Sequence, residues 1–317
     1  MPEVCIQHLW ADMYHATYHF LFFRYNTTKN LSFVRDYLLK NEMSTERVIT
    51  KYEKCDSQLQ SEIKNRRGTS STNLAFSIIL HQDIGLLENQ LKILFRPNHA
   101  FCLHVDAKSP ESILVAVQAI VDCYKKVWHD TMMIIPAKPV STYWGHISLL
   151  ESDLKCFELL QSKFSNWSHV INLAGSELPI QPIGKIESTI RRELGMGLSF
   201  ASSHPLPKHE RSRIELKHEL KSNSRFLNFL GGFRYDKVPV PINGIKKESP
   251  PYDLTVFKGL KNVILSRSMV YFILNNGLAI KFRKWLEDTL VPDESFYATM
   301  IRVVYNHSTG GVRQDLQ

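Results

Sequence analysis

The chain has 317 residues, 44% hydrophobic and 22% charged, close to ordinary folded proteins, which excludes wholesale disorder and a multi-span membrane protein. That length buries a full α/β core in one large or two modest domains. A formal net charge of +8 favours phosphate-bearing substrates, anionic membrane surfaces or nucleic acid. Because no zinc finger, ribonucleoprotein motif or sustained basic helix accompanies it, nucleic acid is not expected as a partner.

In chain order, Tyr14 to Phe23 (YHATYHFLFF) is aromatic and apolar, but it carries two histidines and is about half of the ~20 residues a bilayer span needs. It also lacks the basic flank and cleavage site of a signal peptide, so no membrane anchor is evident in it. Residues 1–72 read as a polar, stem-like region that closes in a linker, Lys64 to Thr72 (KNRRGTSST). Residues 73–317 then read as a catalytic domain. Ala75 to His81 (AFSIILH) is a continuous apolar run, the pattern of a strand covered on both faces. Leu86, Leu87, Leu91, Ile93 and Leu94 fall on one helical stripe, and Phe101 to Asp106 returns as a strand, giving a βαβ unit.

Ser109 as N-cap, Pro110 in the first turn and Glu111 near the positive helix end launch a helix to about Lys125. His146 to Ser162 is a further amphipathic helix, and Ser168 to Ala174 a third strong strand, ended by Gly175 and Pro179. This alternation predicts an α/β fold with a mainly parallel central sheet flanked by helices. Ser202 to Asp253 holds many charges and six prolines; it reads as an active-site insertion with a basic helix, too irregular for a sheet. A strand at Asn262 to Ser266, helices over Met269 to Asn275 and Lys281 to Leu290, and a last helix from Pro292 to about Val303 complete the pattern, before a polar tail, His307 to Gln317.

The sequence has no P-loop, GxGxxG, GxSxG or HExxH motif, which argues against NTPases, dehydrogenases, α/β-hydrolases and zincins. There is no Asp-x-Asp either; Glu151-Ser152-Asp153 is the nearest approach and reads as a solvated helix face. Five cysteines (Cys5, Cys55, Cys102, Cys123, Cys156) show no CxxC pair and no zinc-type spacing. Sequons begin at Asn26, Asn30, Asn166 and Asn306.

Ligands of open parallel sheets bind outside the carboxyl ends of the strands. Three segments meet that rule: His104 to Lys108, Asn172 to Pro179, and Val291 to Glu294. Asp106 suits a ribose or base as hydrogen-bond acceptor, and suits equally a turn or helix cap. Glu294 lies in the first turn of a helix, where the dipole favours its carboxylate, as a general base or as a surface acid.

In order, FSIILH, FCLHVDAK, WGHISLLESDLKC, WSHVINLAGSELPIQP, SPPYDLTVFKG, LSRSMVYFIL and EDTLVPDESFYATMIR resemble the successive blocks of the core 2/I-branching β-1,6-N-acetylglucosaminyltransferases, a family related to peptide O-xylosyltransferases. The resemblance covers residues 55 to 317 or so. It implies a GT-A-like nucleotide-sugar fold that works without a divalent metal or other cofactor, with Glu294 as the general base of an inverting transfer. Ile79, Leu80, His81 and Asp106 are then expected to line uridine and ribose, Trp144 and Gly145 to border the donor pocket, and Lys208 and Arg211 to contact the acceptor sugar. Disulfides Cys55–Cys123 and Cys102–Cys156 are implied too, leaving Cys5 over.

The chain departs from the family in three places. The acceptor-binding glutamate has no counterpart in Leu198 to Ala201, and the Gly-Ser-aromatic block appears as Gly259-Leu260-Lys261-Asn262. The family also continues beyond the point matching Gln317, with an Arg and a Lys for the donor diphosphate, so the chain is expected to be truncated. The expected activity is transfer of N-acetylglucosamine from UDP-GlcNAc to a glycoprotein or glycan acceptor in β-1,6 linkage, on the lumenal face of the Golgi membrane, with xylose as the nearest rival donor sugar. The alternative is a non-catalytic member that binds UDP-sugar or a partner glycosyltransferase.

Overall fold

The computed structural model describes residues 22–24, 43–66, 72–195, 197–222 and 237–308. After a short strand β1 (Phe22–Arg24) come helices α1 (Thr45–Lys54) and α2 (Ser57–Lys64). Ser44 Oγ caps α1 by accepting from Arg47 N, and the Asp56 carboxylate caps α2 by accepting from Leu59 N. Both lie in the stretch read as stem-like, yet Val48, Tyr52, Leu59 and Ile63 are fully buried in the core. Each helix carries its buried residues as one i, i+4 pair in a polar window, too little for a periodic signal. A ten-residue helix is marginal alone. Burial of Val48 and Tyr52, roughly 1.5–3 kcal/mol for each large apolar side chain, together with the Cys55–Cys123 disulfide, holds it in place.

The α/β core follows: β2 (Leu74–Leu80), α3 (Ile84–Leu94), β3 (Ala100–Val105), α4 (Glu111–Val127), β4 (Met132–Ile134), α5 (Ile147–Lys163) and β5 (His169–Ala174). Pro110, not Ser109, occupies the cap position of α4 with no side-chain cap, and Ser109 Oγ is buried without a hydrogen-bond partner. The proline ring already sets the extended φ a cap needs, which displaces the serine by one position. Next come β6 (Glu177–Pro179), antiparallel to β1, then α6 (Ile183–Leu194), β7 (Phe200–Ala201) and β8 (His204–Pro205).

A 3-10 turn at Lys208–Glu210 leads into the one-turn helix α7 (Ser212–Glu215) and an antiparallel ribbon of β9 (Leu216–Ser222) with β10 (Lys237–Lys246). This corrects the expected irregular insertion with a basic helix. Pro239 and Pro241 stand two residues apart in β10, so both missing N–H groups lie on the same side of the strand, and an edge strand tolerates them there. β11 (Phe257–Lys258) pairs with β8, and β12 (Val263–Ser266), α8 (Arg267–Asn275), α9 (Gly277–Trp285) and α10 (Asp293–Ser308) close the described chain.

The six-stranded sheet has the order β4-β3-β2-β5-β12-β7. Its first four strands are parallel, and β12 is antiparallel to both β5 and β7. Alternation along the strands divides the core. Leu74, Phe76, Ile78 and Leu80 face the helices α1 to α4 and α6, while Ala75, Ala100, Cys102 and Val170 face α5, α8, α9 and α10. The Cys102–Cys156 disulfide ties β3 to α5 on that second face, and both bridges match the pairs the resemblance implies. Among the described residues, no helix is long and apolar enough to cross a membrane; most of Tyr14 to Phe23, the linker from Arg67 to Ser71, Cys5, Asn26, Asn30 and the tail past Ser308 lie outside them.

Candidate active site

At the carboxyl edge of the sheet, a strap running from Val140 to His146 links two of the three segments that the sequence marks for chemistry, His104 to Lys108 and Val291 to Glu294. Its near end is bolted to the end of β3. His104 Nε2 accepts from Val140 N (2.9 Å), and Val140 O accepts from Ala107 N (3.2 Å). The buried Asp106 carboxylate accepts from Lys108 N (2.8 Å), Thr142 N (3.0 Å) and the Thr142 hydroxyl. Burial lowers the His104 pKa, so its imidazole stays neutral and its Nε2 can accept. The far end of the strap is Gly145, at φ +72°, whose carbonyl accepts from Val291 N (2.8 Å). Here the left-handed backbone, more than any lack of room, requires glycine.

Val291 itself has φ +54°, a strained setting for a β-branched residue, and it turns the chain through Pro292 into α10. Glu294 therefore emerges in the first turn of that helix, where the dipole favours its negative charge. Its carbonyl accepts from Gly259 N (2.7 Å), and the preceding Leu290 N donates to Arg213 O (3.1 Å). Gly259 approaches so closely that a Cβ would lie 2.0 Å from Ser202 O, so no other residue fits without a backbone shift.

The Glu294 carboxylate closes a four-membered charge ring. Arg213 Nη1 stands 3.0 Å from both Glu294 Oε2 and Glu210 Oε2, while Lys258 Nζ lies 2.7 Å from Glu210 and 3.7 Å from Glu294 Oε2. Burial opposes ionisation of Glu210, but Lys258 and Arg213 together hold its carboxyl below the usual carboxylate range. With two cations and two anions the ring is neutral, and its side chains are only part-buried, so each pair is worth about 0–1 kcal/mol of stability. Its consequence is orientation of Glu294.

Behind this ring lies a buried polar layer. Asp153 of α5 accepts from Ser77 Oγ (3.3 Å) and Asn172 Nδ2 (2.9 Å), with Lys261 Nζ 3.8 Å away. Ser152 and Asp153 are fully buried, which corrects the solvated-face reading for these two, while Glu151 is exposed: the Asp153 carboxylate turns onto the sheet, where Ser77 of β2 and Asn172 of β5 meet it. Burial pushes the Asp153 carboxyl up, and pushes that of Asp293 up to about 6. Asn172 Oδ1 accepts from Val263 N (2.7 Å), and Glu177 accepts from Ala174 N (2.8 Å) and Asn262 Nδ2. Among the described residues, no three His, Cys, Asp or Glu side chains are grouped to hold a metal ion.

The family profile for the Core-2/I-Branching enzyme matches residues 74–317. This chain belongs to the Core-2/I-branching enzyme family. A Danio rerio relative, beta-1,3-galactosyl-O-glycosyl-glycoprotein beta-1,6-N-acetylglucosaminyltransferase 4, is 31% identical over 230 residues, covering 73% of this chain and 50% of the relative. The Homo sapiens beta-1,3-galactosyl-O-glycosyl-glycoprotein beta-1,6-N-acetylglucosaminyltransferase is 29% identical, with 73% and 48% covered. The Homo sapiens N-acetyllactosaminide beta-1,6-N-acetylglucosaminyl-transferase is 26% identical, with 73% and 52% covered. The chain thus spans about half the length of the curated relatives it matches.

In this family member the strap brings Asp106, Gly145 and Glu294 to one edge of the sheet. Ile79 and Leu80 are buried at the end of β2, with His81 exposed just beyond. Trp144 is half-exposed beside Gly145, and Lys208 and Arg211 are exposed on the 3-10 turn and its exit. Neither of these two cations touches Glu294 among the described residues, whereas Arg213, two positions on, does. Sequence reasoning missed Glu210, Arg213 and Lys258. The dense run Lys208-His209-Glu210-Arg211-Ser212-Arg213 was the available signal: Glu210 and Arg213, three positions apart on one face, pair with each other, and Arg213 carries the contact to Glu294.

Proposed function

We propose that the chain transfers N-acetylglucosamine from UDP-GlcNAc to a glycan acceptor in β-1,6 linkage, with inversion and without a metal ion, using Glu294 as general base. The observation that carries this reading is the seat of Glu294: first turn of α10, tied through Val291 to the strap that holds Asp106. In the transfer, the acceptor hydroxyl oxygen bonds to the anomeric carbon as the carbon–phosphate oxygen bond breaks on the opposite face. The hydroxyl proton passes to Glu294 and UDP departs. Ile79, Leu80, His81 and Asp106 take uridine and ribose, Trp144 and Gly145 border the donor sugar, and Lys208 and Arg211 meet the acceptor. The names and family of the relatives support the donor and the linkage.

Two disulfides support an oxidising compartment, and with the family they favour the lumenal face of the Golgi membrane. One observation favours the non-catalytic reading: Arg213 Nη1 stands 3.0 Å from Glu294 Oε2 and so occupies an oxygen that a general base needs for the acceptor proton. A single assay separates the two. With UDP-GlcNAc, a galactosyl O-glycan and excess chelator, the catalytic reading expects a β-1,6-linked product at the rate seen without chelator. UDP binding with no product under either condition would favour the binder.

A further inference from the structure

At the amino end of β5, opposite the catalytic edge, the loop Phe164 to Ser168 connects α5 to the central sheet. Its backbone and its aromatic side chain are pinned. Phe164 N donates to Leu160 O (3.1 Å), and Ser165 O accepts from Arg267 Nη1. Trp167 is buried, its Nε1 donates to Leu160 O (3.2 Å) and Phe164 O (3.0 Å), and the Arg267 guanidinium lies 5.6 Å from its ring centroid. Ser168 N and Oγ both donate to Asn73 O (2.9 and 3.1 Å), and Ser168 O accepts from Arg267 N (2.9 Å). Asn166 is exposed, and its carboxamide makes no hydrogen bond among the described residues. Asn166-Trp167-Ser168 is a sequon with no proline in the middle. Of the other sequons, those at Asn26 and Asn30 lie outside the described residues and Asn306 stands within α10, so Asn166 is the acceptor that the fold sets on a surface loop.

We propose that Asn166 carries an N-linked glycan, added as the chain enters an oxidising lumen. The proposal rests on the compartment named above and not on the transfer chemistry. In the step, Asn166 Nδ2 bonds to the anomeric carbon of a lipid-diphosphate oligosaccharide as the bond from that carbon to the phosphate oxygen breaks. The lipid diphosphate leaves, and one amide proton passes to a base of the lumenal oligosaccharyltransferase. The Ser168 hydroxyl completes the recognition triplet, yet in the folded sheet it is committed to Asn73 beside the start of β2. Addition therefore precedes the docking of β5 on β2. No side chain of the described residues bonds to Asn166, so a bulky, hydrophilic glycan displaces no contact there. From His169 to Ala174, β5 spans about 20 Å. The glycan thus covers the amino edge of the sheet and leaves the carboxyl edge, with Glu294, open.

Peptide mapping of the full chain made in animal cells tests this, because peptide-N-glycosidase in heavy-oxygen water converts a glycosylated asparagine to a labelled aspartate. Labelled aspartate is expected at position 166 in most molecules. Asn166→Gln should lose one glycan's step in electrophoretic mobility, with UDP binding and sugar transfer as in the wild type. A bare Asn166 in molecules whose Cys55–Cys123 and Cys102–Cys156 bridges have formed would overturn the site and leave the lumenal compartment standing. A bare Asn166 beside reduced cysteines would overturn both. A chain glycosylated at 166 that transfers no sugar would count against the transfer reading alone.

Discussion

Asp293 and Glu294 are neighbours in sequence with opposite environments. Glu294 leans out to the charge ring, while Asp293 is buried under the sheet edge with Oδ1 unpartnered and its pKa raised to about 6 by burial. An acid whose folded pKa lies above its unfolded one is most stabilising when protonated, so its contribution is complete below about pH 4 and is lost as pH rises through about 6. Asp293→Asn, which keeps the shape without the charge, should raise stability at pH 7.5 by up to about 3 kcal/mol, the linkage value of that raise, and flatten the stability curve between pH 4 and 7. Urea unfolding at a series of pH values checks it, and a variant that keeps the wild-type slope would assign that slope to other groups, such as Asp153. The sequence placed Glu294 in the first turn of a helix because a helix start after Pro292 is a local pattern. It could not identify Asp153 as buried, because amphipathic counting scores an aspartate as surface whatever packs above it.

Among the elements, the strands of the parallel core were the most legible. Runs such as Ala75 to Leu80 are apolar but for Ser77, and only a doubly covered strand needs that. The β9–β10 ribbon was not legible, since its prolines signal breaks, whereas the pairing seats both opposite β9 at alternate positions of one edge strand. Helices α1 and α2 failed for a different reason: their order depends on contacts far along the chain. The Cys55–Cys123 bridge closes a separation of 68 residues and fastens α1 to α4, adding to the few buried side chains and the Lys51–Glu88 ion pair that tie these helices to the core. Replacing both cysteines by alanine should cost about 2–4 kcal/mol, read as a lower urea midpoint. Unaltered stability would show that packing alone holds these helices.

Across the whole molecule, the carboxyl edge of the sheet separates charge by task. Lys108 and Lys237 stand at the Tyr143 ring of the strap, the ring of Glu210, Arg213, Lys258 and Glu294 is neutral, and the layer behind it buries Asp153 and Asp293 around Lys261. In the proposed reaction the nucleotide lies on one side and the proton acceptor on the other, joined by seven residues from Val140 to His146. The sequence located all three segments of this edge through the strand-end rule, and it missed their connection, which depends on backbone hydrogen bonds that leave no compositional trace. The central claim is that the carboxylate at position 294 takes the proton of the acceptor. Glu294→Gln, assayed beside the wild type for sugar transfer and titrated with UDP, tests it most directly: transfer should fall by at least about a hundredfold, the usual contribution of a general base, with UDP affinity intact. Transfer at the wild-type rate in that variant would contradict the account.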